Sequence, residues 1–591
     1  MNTNLQLKAL KELIKKTGAH ALLLRSTDAY FNEYVPEHLS ARAHITKFNG
    51  SVGDALITTN DAHLFVDGRY ELQAQEQAID FTTLVTKNNM SIENSWLNFL
   101  SENLKSGQTL LYDPTTLDLG LSEKLSLLCE RLNAKLVPQA GALIAQVFEP
   151  QKLSHQEPYK IWSIPQEITG ASTQEKIRKL APLLQAQGVQ GFLVVKLDDI
   201  AWLLNMRGNA FAFQRTFPAL AALLPNKIIL GLKEGFSLPQ ELKNPDLEVV
   251  KESVLIQELK SKNTKFTIGI DESETSKAHE LALREQDIAI KRVINPIATQ
   301  KAIKNEQELL HMRGAFKKAD HVIYQTQNLI EKAYEEGRSL SEGEIDDLIK
   351  KQFIDSQAPE LSFRPICAGG KNGAIIHYGT PNREQKVESG SLFLLDTGAY
   401  YEGGYATDLT RTFLIGKKSA QAQKWQKEMF TLVLKASIKG LSARFRRGVL
   451  GLQLDAITRA PLWQAGLDYA HGTGHGVGIN VHEFPPRIGP TSSSPLLEGQ
   501  VFSIEPGLYF NNLGGVRIEN LVCVVADPEH EQFLRILPLT FCPFDDRLIE
   551  STMLDDYEKE FLAYYREQWH NDSPMPDLPP LRKISWAQGA K

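Results

Sequence analysis

At 591 residues the chain exceeds what one hydrophobic core of about 100–200 residues can organise, so two to four domains are expected. Its 42% hydrophobic and 23% charged content fit a soluble globular protein, and a formal net charge of -6 gives no electrostatic footprint for nucleic acid. Cys129, Cys367, Cys523 and Cys542 are far apart and form no CxxC pair, which excludes a disulfide framework and a cysteine zinc site and fits the cytosol.

The first stretch, "MNTNLQLKALKELIKKTGAH", sets Leu5, Leu7, Leu10 and Leu13 among lysines as an amphipathic helix does. It lacks the apolar core and cleavage site of a signal peptide. No later stretch offers the roughly 18 uninterrupted apolar residues of a membrane span. Short apolar runs, "HALLL" and "GDALITT", lie between helical patterns and predict an α/β domain over residues 1–150. Residues 148–165, "FEPQKLSHQEPYKIWSIP", hold three prolines and little periodicity, as a linker would. In the next domain, 151–302, "GVQGFLVVKLDDIAWLLNMRG" echoes "GAHALLLRSTDAYFNEY" of the first. In each, a glycine ends a helical run, a strand follows, and an aspartate stands ten residues after the glycine, at Asp28 and Asp198. This is the pattern of a duplication.

A third domain is expected over 303–548. It opens with a long helical pattern, "NEQELLHMRGAFKKADHVIYQTQNLIEKAYEEG", stopped at Gly337, and then with Ser341 and Glu344 at capping-box spacing. From residue 390 onward, strand-like runs are expected to dominate. Residues 549–591 form an extension, helix-like in "LDDYEKEFLAYYREQW" and extended in "NDSPMPDLPPLRKISW", to which the sequence assigns no chemistry.

The densest chemistry lies in "HGTGHGVGINVHE", residues 471–483. A helix pairing His471 with His475 on a metal would have to include Gly472, Gly474 and Gly476, at about 1 kcal/mol each relative to alanine. Neither phosphate-loop register, GxGxxG or GxxxxGK[ST], fits the glycines. Irregular or bulged strand remains, in which glycine admits a close approach by a ligand. A lone histidine there is more often a structural group than a ligand, so its partners must decide. Four acidic residues stand beside apolar runs: Asp396 in "SLFLLDTG", Asp408 in "YATDLTRTFLIG", Glu505 in "VFSIEPG" and Glu519 in "VRIENLVCVV". Singly, each could be a salt bridge or a turn cap. Were they to converge, each pair at about 4 Å would repel by roughly 4 kcal/mol at an effective dielectric of 20. Two divalent cations would offset that charge, with one histidine nitrogen completing the set. Manganese, cobalt or zinc suits such donors, and the bridging water between two such ions becomes a hydroxide nucleophile.

Asp, Asp, His, Glu, Glu in this order, with "HGTGHGVG", "IEPGLY" and "GVRIEN", resembles the pita-bread metallopeptidases of family M24B: methionine aminopeptidases, prolidases and Xaa-Pro aminopeptidases. "FNGSVGDALIT", "VDGRYELQAQ", "DDIAWLLNMRG", "NGAIIHYG" and "LPLTFCPFD" extend the likeness to the long, three-domain cytosolic Xaa-Pro aminopeptidases. The resemblance implies an α/β chain in which two creatinase-like domains precede an α+β pita-bread catalytic domain. It implies metal ligands at Asp396, Asp408, His475, Glu505 and Glu519, with Asp408 and Glu519 bridging two divalent ions, manganese foremost. His471 would stand near the substrate without ligating. His377 and His482 resemble the histidines that hydrogen-bond the scissile carbonyl or the developing intermediate. Arg517, two residues before Glu519, would share its strand face, Arg69 would contact the peptide, and Glu505 would also shuttle a proton.

The implied reaction is release of the amino-terminal residue from a peptide with proline second, by attack of the bridging hydroxide. A cytoplasmic homodimer with neither nucleic-acid nor membrane partners is implied as well. A prolidase limited to Xaa-Pro dipeptides shares the metal set, but usually has one amino-terminal domain. A non-catalytic binding module on the same fold is the remaining alternative. One departure stands out: Asp396 and Asp408 are twelve residues apart, one more than the motif leads us to expect. A turn at Gly403-Gly404 or a bulge would absorb the extra residue, whereas a strand shift would turn one aspartate away.

Overall fold

The computed structural model describes residues 4–36, 39–86, 90–148, 159–242, 246–262 and 267–582, apart from the side chains of Leu72 and Lys262. Most of the expected linker, 149–158, and the end of the tail, 583–591, lie outside the described residues. The chain divides into two compact units, Met1–Ile164 with Ala171–Ile297, and Pro165–Gly170 with Ala298–Lys591.

The first unit holds two six-stranded sheets. One is built from Ala21–Leu24, Asp54–Thr58, Ala62–Val66, Thr82–Val85, Thr109–Leu111 and Lys135–Val137. The other uses Gly191–Val194, Ala219–Leu223, Ile228–Leu232, Leu247–Lys251, Thr267–Ile270 and Ala289–Arg292. Numbered along the chain within each sheet, both run 4-3-2-1-5-6. In both, the first strand pairs antiparallel with the second and parallel with the fifth. The entry to each is also shared. Helices Leu5–Lys16 and Thr173–Ala186 are followed by Gly18 (φ 73°) and Gly188 (φ 72°), in the left-handed conformation that glycine adopts without a Cβ penalty. After the first strand the copies diverge. Asp28 caps a turn by accepting from the Tyr30 and Asn32 amides, whereas Asp198 lies buried in helix Leu197–Leu204. In the first helix Leu7, Leu10 and Ile14 are buried, Leu13 is half-buried and Leu5 is 74% exposed, so the apolar stripe begins at Leu7, two residues later than the leucine pattern alone suggests.

The second unit opens with helices Glu306–Glu335 and Glu342–Asp355, each started by a full capping box, Asn305 with Glu308 and Ser341 with Glu344. They cover an antiparallel sheet of Ile366–Gly369, Leu392–Thr397 and Leu409–Leu414, around a core that includes Ile323, Ile349 and Phe393. Helices Lys424–Leu441 and Gly451–Gln464 then interrupt the strand-rich region expected from residue 390. The β-branched residues Thr431, Val433 and Ile438 read locally as strand. Their burial, with Phe430, Leu434 and Leu441 on a helix, overrides that preference. This pair packs with an antiparallel sheet ordered Arg444–Arg446, Phe533–Pro538, Asn520–Ala526, Val501–Ile504. Helix Asp556–Trp569 seats Phe561, Leu562 and Tyr565 in the same core.

Candidate metal centre

Asp396 and Asp408 stand on one hairpin. Its register runs unbroken from Leu392 opposite Leu414 to Thr397 opposite Leu409 and continues to a bridge between Tyr400 and Ala406. Asp396 lies opposite Thr410, and Asp408 precedes Thr410 by two residues, so the period-2 alternation of a strand sends both carboxylates to one face. The twelve-residue spacing is taken up in the turn between Tyr400 and Ala406, where Gly403 and Gly404 have φ of 89° and 64°; no bulge intervenes. Gly398 is required inside the hairpin, because a Cβ there would overlap the Thr407 carbonyl and the Ser362 hydroxyl.

Glu505 follows strand Val501–Ile504, and Glu519 precedes strand Asn520–Ala526, which pairs with it antiparallel. The Glu505 amide donates to the Thr473 carbonyl at 2.8 Å, tying that carboxylate to the glycine-histidine stretch. That stretch is irregular backbone with a two-residue ribbon, Gly474–His475 against Arg487–Ile488. Gly474 and Gly476 leave no room for a Cβ, which would meet the backbone of Ser503 and of Glu483. His475 donates its amide to Ser503 Oγ at 3.1 Å, and its Nε2 lies 3.5 Å from Asp408 Oδ2 and 3.4 Å from Glu505 Oε1.

Donor atoms of Asp408, His475 and Glu519 fall within 4.8 Å of one another. Asp396 is held beside them by Arg517, whose Nη2 donates to Asp396 Oδ2 at 2.5 Å. The charges meet with little water. Asp408 is raised well above the usual carboxylate range by burial and by Glu519, Asp396 and Glu505; Glu519 is raised likewise by burial, Glu505 and Asp396. Burial, with Asp396 nearby, pushes Glu505 up to about 7 against the pull of Arg517. Asp396 Oδ1 and Glu519 Oε1 are buried without a hydrogen-bond partner. A buried carboxylate oxygen left unpaired is costly, and oxygens so placed beside an imidazole nitrogen are the donor set a divalent cation takes. The residues therefore fit such ions.

Around the five, His471 Nε2 meets the Tyr509 hydroxyl at 2.9 Å, and the same hydroxyl accepts from Arg517 Nη1 at 2.9 Å. The His482 ring packs edge-on against His475, with centroids 4.2 Å apart. His377 is half-buried and adjoins Ile376, whose carbonyl faces Arg517 Nη1 at 3.5 Å. Arg69 belongs to the first unit, where Asp67 grips its guanidinium at 2.7 and 3.0 Å. Thr410, Ser503 and Tyr509 escaped the sequence reading. Thr410 Oγ1 donates to Glu519 Oε2 at 2.7 Å, and Ser503 Oγ to Glu505 Oε1 at 3.2 Å. Both stand two residues from an expected ligand, so strand alternation would have found them; Tyr509 lay inside the quoted "IEPGLY".

The model of metallopeptidase family M24 matches residues 311–526, and models of the creatinase/prolidase amino-terminal domain match 6–147 and 153–308. A probable Xaa-Pro aminopeptidase P of Laccaria bicolor is 32% identical over 97% of this chain and 91% of its own length. One of Coprinopsis cinerea is 31% identical over 97% and 96%. Among solved structures, an X-prolyl aminopeptidase from Caenorhabditis elegans, described as a cytosolic enzyme with a di-nuclear active site, superposes with a TM-score of 0.88 at 27% identity, covering 96% of each chain.

Proposed function

Because the chain belongs to metallopeptidase family M24, with Xaa-Pro aminopeptidase P relatives matching it along nearly its whole length, we propose that it removes the amino-terminal residue from peptides whose second residue is proline. The observation that carries this reading is the convergence of Asp408, His475 and Glu519, with Asp396 and Glu505 beside them and two buried carboxylate oxygens unpaired. Asp396, Asp408, His475, Glu505 and Glu519 would hold two divalent cations. When bound, such a pair lowers the pKa of a water and polarises a carbonyl oxygen.

The chain's own groups do the rest. Glu505, steadied by Ser503, takes the proton of the attacking water and passes it toward the leaving nitrogen. His482 and His377 donate to the oxyanion and to the proline nitrogen. Arg517 fixes Asp396 and, through Tyr509, His471. Proline lacks an N–H and its φ is fixed near −65°, so a site that recognises it cannot rely on a hydrogen bond from that nitrogen. Arg69 would supply a peptide contact. Manganese as the resident metal, a homodimer and a cytoplasmic location belong to the same proposal. So do the boundaries 1–150, 151–302, 303–548 and 549–591; no helix among the described residues is long and apolar enough to cross a membrane.

The test is hydrolysis of Xaa-Pro-Yaa and Xaa-Pro substrates, with chelator and then with manganese returned. Tripeptide cleavage that chelation abolishes and manganese restores is expected. Cleavage of dipeptides alone would make the protein a prolidase. Neither cleavage nor binding of divalent metal would make it a binding module.

A further inference from the structure

Helix Asp556–Trp569 lies in the extension to which the sequence assigns no chemistry, yet Tyr565 stands two hydrogen bonds from Glu519. Its ring stacks on Phe544, with centroids 4.5 Å apart, and its hydroxyl is fully used. It accepts from Arg411 Nη2 at 2.7 Å and from Asn520 Nδ2 at 2.8 Å, and it donates to the carbonyl of Cys542 at 3.2 Å. Arg411, 1% exposed, likewise spends its whole guanidinium. Nε and Nη2 donate to the Cys542 carbonyl, and Nη1 donates to the carbonyls of Thr410 at 2.8 Å and Glu519 at 2.6 Å. Those two carbonyls belong to the residues whose side chains meet as Thr410 Oγ1 and Glu519 Oε2. Thr410 in turn faces Asp396 across the hairpin. The guanidinium thus joins strand Leu409–Leu414, which follows Asp408 and pairs with the strand of Asp396, to the main chain of Glu519, and the Tyr565 hydroxyl holds the guanidinium in place. Asp320, buried nearby, accepts from the Phe541 and Cys542 amides and orients the Cys542 carbonyl that both groups share.

We propose that Tyr565 and Arg411 are positioning residues of the metal centre, through which the carboxy-terminal helix sets the placement of Glu519 against the Asp396–Asp408 hairpin. This rests on the reading of Glu519 as a ligand. Groups that orient metal ligands from behind typically change metal affinity about 10–100-fold when lost. Tyr565→Phe keeps the ring on Phe544 but deprives a fully buried guanidinium of one acceptor.

The experiment uses the full chain and titrates Mn2+ by calorimetry, with free Mn2+ followed by electron paramagnetic resonance, in the parent, Tyr565→Phe, Phe561→Leu and Glu519→Gln. Thermal denaturation of the metal-free proteins runs alongside. Phe561 is buried on the same helix and flanks the Tyr565 ring, with centroids 6.3 Å apart, but makes no hydrogen bond to the relay, so Phe561→Leu loosens the packing while keeping every hydrogen bond and serves as the stability control. Expected are a roughly tenfold weaker Mn2+ affinity in Tyr565→Phe, and parental affinity in Phe561→Leu despite a lower melting temperature. Parental affinity in Tyr565→Phe while Glu519→Gln is weakened would overturn this inference alone. Equal weakening in Phe561→Leu would overturn it too, by showing that general loosening suffices. If the parent binds no Mn2+, or Glu519→Gln binds it as the parent does, the ligand reading falls as well.

Discussion

Removing metal should change how the protein's stability depends on pH, and the size of the change follows from the site. Four carboxylates converge where each pair near 4 Å costs roughly 4 kcal/mol at an effective dielectric of 20. Without cations Asp408, Glu519 and Glu505 hold on to protons above the usual carboxylate range, raised by burial and by one another's charge. For Glu505 the rise from 4.5 to about 7 corresponds to about 3 kcal/mol. A carboxyl raised in the folded state adds stability that is fully present below its unfolded value and lost as pH climbs through its folded value. The chelated protein should therefore melt progressively lower from about pH 4.5 to 7 and beyond, while the manganese-loaded protein does not follow. Ligation needs the carboxylates ionised, so Mn2+ binding near pH 6 should expel about two protons or more per chain. Calorimetry in buffers of different ionisation enthalpy counts them, and differential scanning gives the melting curve. Binding heats that do not vary with buffer, joined to a chelated melting temperature flat across that range, would refute the convergence of buried charge argued above.

Loss of the His482 imidazole in His482→Ala should lower kcat for an Xaa-Pro-Yaa peptide by about 100-fold or more with little change in KM, as steady-state kinetics would show; a pure KM effect would make it a binding group only. Gly398→Ala pushes a Cβ into the Thr407 carbonyl, and a cost of about 1–3 kcal/mol in denaturant unfolding is expected, with weakened Mn2+ binding because both aspartates ride on that hairpin. In the first unit, burial lowers His279 to about 4, its Nδ1 lying 2.9 Å from the Ser276 hydroxyl. Between pH 6.5 and about 4 the unfolded chain takes up the proton first, so stability falls with pH across that window. After discounting for partial exposure, about 2 kcal/mol is at stake, and His279→Gln should remove that much of the acid slope in chemical denaturation.

The sequence and the structure part company where long-range packing decides. Gly18 and Gly188 were readable because a left-handed helix stop is a local demand, and the strands behind them followed. The shared 4-3-2-1-5-6 order was not, since it depends on pairings between segments tens of residues apart. Among the site residues, the four acids stood out because an unpaired charge in an apolar strand is expensive, whereas His475 over His471 came only from the family resemblance, since the same glycines flank both. Thr410, Ser503 and Tyr509 did not stand out, because a hydroxyl in a strand carries no such penalty until its neighbour is known. Helix Lys424–Leu441 was hidden by β-branched residues whose burial on a helix only the tertiary core enforces, and Gly451–Gln464 by a helix breaker in its interior, Pro461.

The centre is assembled from segments far apart along the chain. Asp396 and Asp408 come from one antiparallel sheet and Glu505 and Glu519 from another, and the bond from Thr410 to Glu519 spans 109 residues of chain. A nascent chain that has reached Leu414 carries two aspartates without their counterparts, a weak and unselective trap for whatever ion is abundant. On the proposed ligand set, competence to choose a metal therefore requires both sheets to be in contact, since neither alone supplies more than two of the four carboxylates.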